Sequence, residues 1–132
     1  MLMKKVLVGC MLLSSLAFSE MKSDPVSVMT MRGYESAMTR IEKGFLRNNL
    51  NMVKLGTENL KKNSKMVDSF IIESDDKNFD PKAYAAKEAS AIEDLANEIL
   101  TNFEAGKNDE ARNAYDRAMT RCLACHRIIR QW

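Results

Sequence analysis

A chain of 132 residues with 45% hydrophobic and 29% charged side chains has the length of one domain and enough apolar content to bury a core. Twenty basic against eighteen acidic residues give a formal charge of +2, which excludes the basic excess that nucleic-acid binders use to neutralise phosphates. Three cysteines exclude a dense disulfide framework as the source of stability.

The first predicted element is an export signal. Lys4 and Lys5 form a basic start, Val6 to Phe18 an apolar stretch, and Ala17-Phe18-Ser19 a small-residue cleavage site, so the mature chain is expected to begin at Glu20 in the periplasm. The apolar stretch falls short of the roughly 20 residues that a spanning helix needs. Leu7-Val8-Gly9-Cys10 resembles a lipoprotein-processing box, but too little apolar chain precedes Cys10, and lipid anchoring there is not expected. Removal of Lys4 and Lys5 brings the formal charge to zero, and removal of Cys10 leaves Cys122 and Cys125.

Four helical patterns follow, separated by short polar breaks, with no strand-like alternation. Asp24-Pro25 is an N-cap with proline at the first helical position, and Val28, Met31, Tyr34, Met38, Ile41 and Phe45 recur at threes and fours as far as Asn48-Asn49. A second helix is expected to turn Met52, Leu55, Leu60, Val67 and Ile71 inward and to stop before Ser74. Asp80-Pro81 repeats the start signal, Tyr84, Ala89, Ile92, Leu95, Ile99 and Phe103 form the third stripe, and Gly106 closes it. Asn108 or Asp109 is expected to cap the last helix, whose stripe runs Ala111, Tyr115, Ala118, Cys122, Cys125, Ile129, with Asp109 and Glu110 favourable at its positive end. Helices of about 22 to 27 residues would be roughly 33 to 40 Å long. Short connections predict an all-α, antiparallel up-down-up-down four-helix bundle over residues 20–132.

The last helix carries the chemistry. Cys122-Leu123-Ala124-Cys125-His126 is a C-x-x-C-H run, the pattern of a c-type haem attachment site. Thiols at i and i+3 and an imidazole at i+4 share one helical face, so both sulfurs can join the haem vinyl carbons while the imidazole reaches the iron. A thioredoxin-like couple would need a preceding strand and a βαβ setting, and structural zinc would need four ligands from a mature supply of two Cys and one His. A chance motif on a surface helix is the bland alternative, and the export signal weighs against it. Only six residues follow the motif, so a second axial ligand is expected from upstream. His126 is the only histidine, which leaves Met, Lys or no protein group for that position.

Cys122 to His126 on the fourth helix, Arg130 four residues beyond His126, and Ser36-Ala37-Met38-Thr39 followed by Ile41 and Phe45 on the first together resemble the class II c-type cytochromes, the cytochrome c prime family. The likeness spans the mature chain, with Ile129 where the family commonly has an aromatic. It implies a covalent haem c held by Cys122 and Cys125, with His126 as proximal iron ligand and Arg130 on the proximal side. It also implies Met38 as the distal ligand, which would place the chain with the six-coordinate, low-spin electron carriers. Met31, two turns earlier on the same face, is the fallback ligand. Tyr34 stands where members with an Arg one turn before the distal residue carry that Arg.

The expected function is electron transfer between redox donor and acceptor proteins, not catalysis, since with the only imidazole on iron no general base remains. The alternative is a five-coordinate cytochrome c prime that binds nitric oxide or carbon monoxide. Gly44 and Gly56 lie within the first two helices, through which family members often dimerise, and could permit close backbone approach in a homodimer. Lys61, Lys62 and Lys65 form a local basic face for which solvation is the default and docking of an acidic redox partner the functional reading. No nucleic acid and no transmembrane segment are expected for the mature chain.

Overall fold

The computed structural model describes residues 24–130, and the expected signal segment and Cys10 lie outside them. Among the described residues the chain is all-helical with no strand. α1 spans Pro25–Leu46, α2 Leu50–Met66, α3 Pro81–Glu104 and α4 Asn108–Ile129, and a single 3-10 turn, Val67–Ser69, follows α2. The architecture is that of a four-helix bundle, and none of these helices is long and apolar enough to cross a membrane.

The start and stop signals act as their chemistry dictates. The Asp24 carboxylate accepts from the Val26 and Ser27 amides at 3.2 and 3.3 Å, and Asp80 accepts from the Ala83 amide at 2.9 Å, satisfying donors that an α-helix leaves unpaired at its start. α1 ends with Asn48 at φ 46°, the Asn49 amide reaching back to the Gly44 carbonyl at 2.8 Å. α3 ends the same way, with Gly106 at φ 73° and the Lys107 amide on the Asn102 carbonyl at 2.9 Å. Each is the left-handed helix stop in which a six-residue bond satisfies an orphan carbonyl. The next helix begins at once: the Asn49 side chain accepts from the Met52 amide at 3.1 Å, while Lys107, not Asn108 or Asp109, is the N-cap of α4 and offers no side-chain bond.

The core is drawn from all four helices: Tyr34, Ala37, Met38 and Ile41 of α1, Val53 and Leu60 of α2, Ala89, Ile92, Leu95, Ala96, Ile99 and Phe103 of α3, and Ala111, Ala114 and Ala118 of α4. Two residues expected inside are not. Leu55 is 47% exposed because the inward phase of α2 is Val53, Gly56, Thr57, Leu60 and Ser64, and Leu55 lies roughly 200° around the helix from Val53. Ile71 is 75% exposed because α2 stops at Met66, after which Val67 and Phe70 enter the core from the 3-10 turn and the extended chain beyond it. α2 is therefore 17 residues long, shorter than its pattern suggests.

Close approach within the first helical pair explains two glycines. A methyl group at Gly56 would come within 2.5 Å of Ile41 Cγ1 and 3.0 Å of the Ala37 carbonyl, and one at Gly44 within 2.6 Å of Val53 Cγ2. The space these residues leave is filled by α1 and α2 of the same chain.

Candidate haem-attachment site

α4 runs unbroken through the motif, placing Cys122, Cys125 and His126 within roughly 100° of arc on the side that carries Ala111, Ala114 and Ala118 into the core. All three are half-buried, and Cys122 packs against the core. Close backbone packing joins α1 to α2, α2 to α3 and α3 to α4, but not α1 to α4. The α1–α4 seam is crossed by side chains. At one end the Phe45 ring packs on Tyr115 of α4, centroids 5.7 Å apart, and on Phe103 of α3, 5.4 Å away. Nearer the motif His126 Nε2 lies 3.3 Å from the sulfur of Met31.

The two methionines singled out from the sequence thus occupy different environments. Met31 is half-buried on the seam with its thioether against the imidazole. Met38 is 4% exposed among core side chains, about 10 Å further along the α1 axis at 1.5 Å per residue. The contact to His126 belongs to Met31.

Electrostatics of the motif follow from burial. Burial pushes the Cys122 thiol up to about 11, with the Cys125 sulfur adding to the rise, and burial followed by Glu88 raises Cys125. A thiol–disulfide exchange site needs the reverse, a thiol lowered towards neutrality, and both cysteines are free thiols. His126 is held below the usual imidazole range by burial first and by the Arg130 charge second. Arg130 is the C-cap of α4, its amide donating to the His126 carbonyl at 2.8 Å, so its position beside His126 is set by helix termination. No group of three His, Cys, Asp or Glu side chains among the described residues is arranged to hold a metal ion.

Glu88 is a member of this neighbourhood that sequence patterning misses. Its carboxylate is 7% exposed, and its two oxygens accept from Arg121 Nη1 at 3.2 and 3.3 Å. Arg121 directly precedes Cys122, so the pair fixes α3 against the start of the motif. The signal was an acid lying between Ala85 and Ala89 on the inward stripe of α3, unremarkable until its partner is placed by the fold. Tyr34 is committed elsewhere: its hydroxyl donates to Ser64 Oγ at 2.9 Å, and Ser64 donates to the Leu60 carbonyl at 3.0 Å. Burial, the largest influence, raises the Tyr34 phenol to about 12.

Two thiols, one imidazole and one thioether thus converge on the seam between α1 and α4. Set against protein-family models, curated proteins and solved structures, the chain matches none.

Proposed function

We propose that this chain is an exported, periplasmic c-type haem protein of the class II kind, an antiparallel up-down-up-down bundle that carries electrons between redox proteins. Cys122 and Cys125 would be the thioether anchors and His126 the proximal iron ligand, with Met31, the fallback of the sequence reading, preferred to Met38 as the distal ligand. The observation that carries the reading is the 3.3 Å approach of Met31 sulfur to His126 Nε2, across the α1–α4 seam, where the backbones are not closely packed. The paired levels Gly44–Val53 and Gly56–Ile41 support the antiparallel order.

The donor types suit the group, which His126 and Met31 would have to part from their direct contact to admit. When bound, a haem would supply one-electron chemistry between ferrous and ferric iron, and a soft thioether donor such as Met31 would favour the ferrous state and a higher potential. The chain's own residues do the rest. Partial burial raises both thiols, and α4 presents them in the i, i+3 spacing that double attachment requires. Burial first and Arg130 second lower His126 and so favour the neutral imidazole, the form that ligates metal.

The test is spectroscopic. Acid–acetone extraction of the purified protein should leave the haem on the polypeptide, and the pyridine haemochrome should be of the c type. Ferric protein should be low-spin with a weak sulfur-to-iron band at the red edge of the visible. Release of free haem would overturn the attachment, whereas covalent haem in a high-spin, carbon-monoxide-reactive protein would replace the carrier by a five-coordinate gas binder.

A further inference from the structure

Charge is unevenly distributed over the fold. Residues 25–66, α1 with α2, carry eight Lys and Arg against three Glu, a formal +5, whereas residues 67–80 carry one Lys against five Asp and Glu, a formal −4, and residues 81–130, α3 with α4, balance eight basic against eight acidic residues. Ion pairing deepens the asymmetry: every ion pair among the described residues lies in α3 and α4, namely Arg112–Asp116, Arg117–Glu98 and Arg121–Glu88. A chain whose mature formal charge is zero therefore presents a strong local field on one side.

The positive half has a defined crest. Arg32, Arg40, Lys43 and Arg47 are all exposed, and their spacing puts them within roughly 80° of arc on α1, with Ser36 and Thr39 between them. Together with Met52 and one carboxylate, Glu35, they line an open groove of about 590 Å³. At the end of the crest Leu46 and Leu50 are 79% and 42% exposed, an apolar contact beside the Arg47 charge. The crest starts next to Met31, the residue in contact with His126. The lysines of α2 are a weaker candidate, since Lys61 is half-buried and bonded to Asn97 of α3 at 3.1 Å.

We infer that this face of α1, Arg32, Arg40, Lys43 and Arg47 with Leu46 and Leu50, docks an acidic electron-transfer protein. That the partner is a redox protein rests on the haem reading; that it is acidic rests on the charge division alone. Charge complementarity of this kind orients encounter and raises on-rates, and at about 0.1 M salt it acts within roughly 10 Å, the scale of one helix face. The small apolar spot gives short-range contact without the area of a permanent interface.

The redox-inert trianion hexacyanochromate(III), added to ferrous holoprotein, should broaden amide NMR signals of residues 32–47 first, and Arg40→Glu with Lys43→Glu should remove that broadening. The same double variant should slow oxidation by ferricyanide about tenfold at low salt, with the difference vanishing at high salt, while oxidation by tris(phenanthroline)cobalt(III) is not slowed. Lys62→Glu with Lys65→Glu should leave both readings near wild type. Broadening centred on Lys61 to Lys65, or an unchanged ferricyanide rate in the α1 variant, would overturn the assignment. So would wild-type co-sedimentation with phosphatidylglycerol vesicles that the α1 variant loses, which would give the face to a lipid surface. The broadening needs no electron transfer, so a chain lacking covalent haem fails the redox arm and leaves the docking arm to be read separately.

Discussion

The α1–α2 and α3–α4 pairs are built to one local plan and do different work. Each begins Asp-Pro, each turns through a left-handed residue, Asn48 or Gly106, and each starts its second helix immediately after. In α1–α2 the helices approach until no side chain fits at Gly44 or Gly56, and the outer surface is positive. In α3–α4 small alanines line the contact, the surface charges are ion-paired and balanced, and the far end of α4 holds the thiols and the imidazole. Identical start and stop chemistry thus fixes where helices begin and end, while the residues between decide what each pair is for.

The largest expected effect crosses from one pair to the other. Met31→Leu should abolish the low-spin spectrum and the sulfur-to-iron band, lower the reduction potential and open the ferrous protein to carbon monoxide. Met38→Leu should keep the spectrum and cost less than about 1.5 kcal/mol of stability, as volume-conserving core exchanges do. The opposite result would return the ligand to Met38 and make the Met31–His126 contact a packing accident.

Within α3–α4, Arg121→Ala leaves the Glu88 carboxylate buried without its partner. A buried pair broken from one side costs about 3–5 kcal/mol, but Arg121 is 48% exposed and its charge is partly screened, so about 1–3 kcal/mol is expected in urea unfolding. Glu88→Gln in the same background should recover part of that loss. If Arg121→Ala is neutral, the pair does not anchor α3 to the motif.

Within α1–α2, Gly56→Ala sets a helix-propensity gain of up to about 1 kcal/mol against overpacking of about 1–3 kcal/mol. The Ala37 carbonyl and Ile41 amide in the way are backbone, 3.0 and 3.1 Å from the added carbon, so the helices must part and net destabilisation is expected. A more stable variant would show the approach to be looser than the distances say.

The last effect is confined to alkaline pH. Tyr34 is raised from 10.0 to about 12, so above pH 10 the unfolded chain ionises first. The stability this phenol contributes is present in full below pH 10 and is lost as pH rises towards 12. Tyr34→Phe should flatten that decline without abolishing it, because Tyr84 and Tyr115 are raised too. An unchanged profile would mean that Tyr34 is not the buried phenol that governs it.

Much of the fold was legible because its signals are local. Asp24-Pro25, Asp80-Pro81, Gly106 and the stripes of α1 and α3 act through bonds and contacts within a few residues, and the structure reproduces them. The inward face of α2 was not: Leu55 is as apolar as Leu60, and only the surface offered by α1 and α3 selects Val53, Thr57, Leu60 and Ser64. Its end misled for a related reason, since Val67 and Phe70 are buried without continuing the helix.

The candidate site divides along the same line. Cys122, Cys125 and His126 lie within five consecutive residues, so helical geometry alone puts them on one face and the sequence suffices to find them. Met31 and Met38 share a stripe two turns apart, and no local rule separates a side chain on the α1–α4 seam from one in the core. The axial offset between α1 and α4 decides it, and that offset is set by how α1 packs on α2, α2 on α3 and α3 on α4. Glu88 against Arg121 and the positive crest of α1 are decided likewise, because an ion pair or a field depends on distance through space, which sequence separation does not specify.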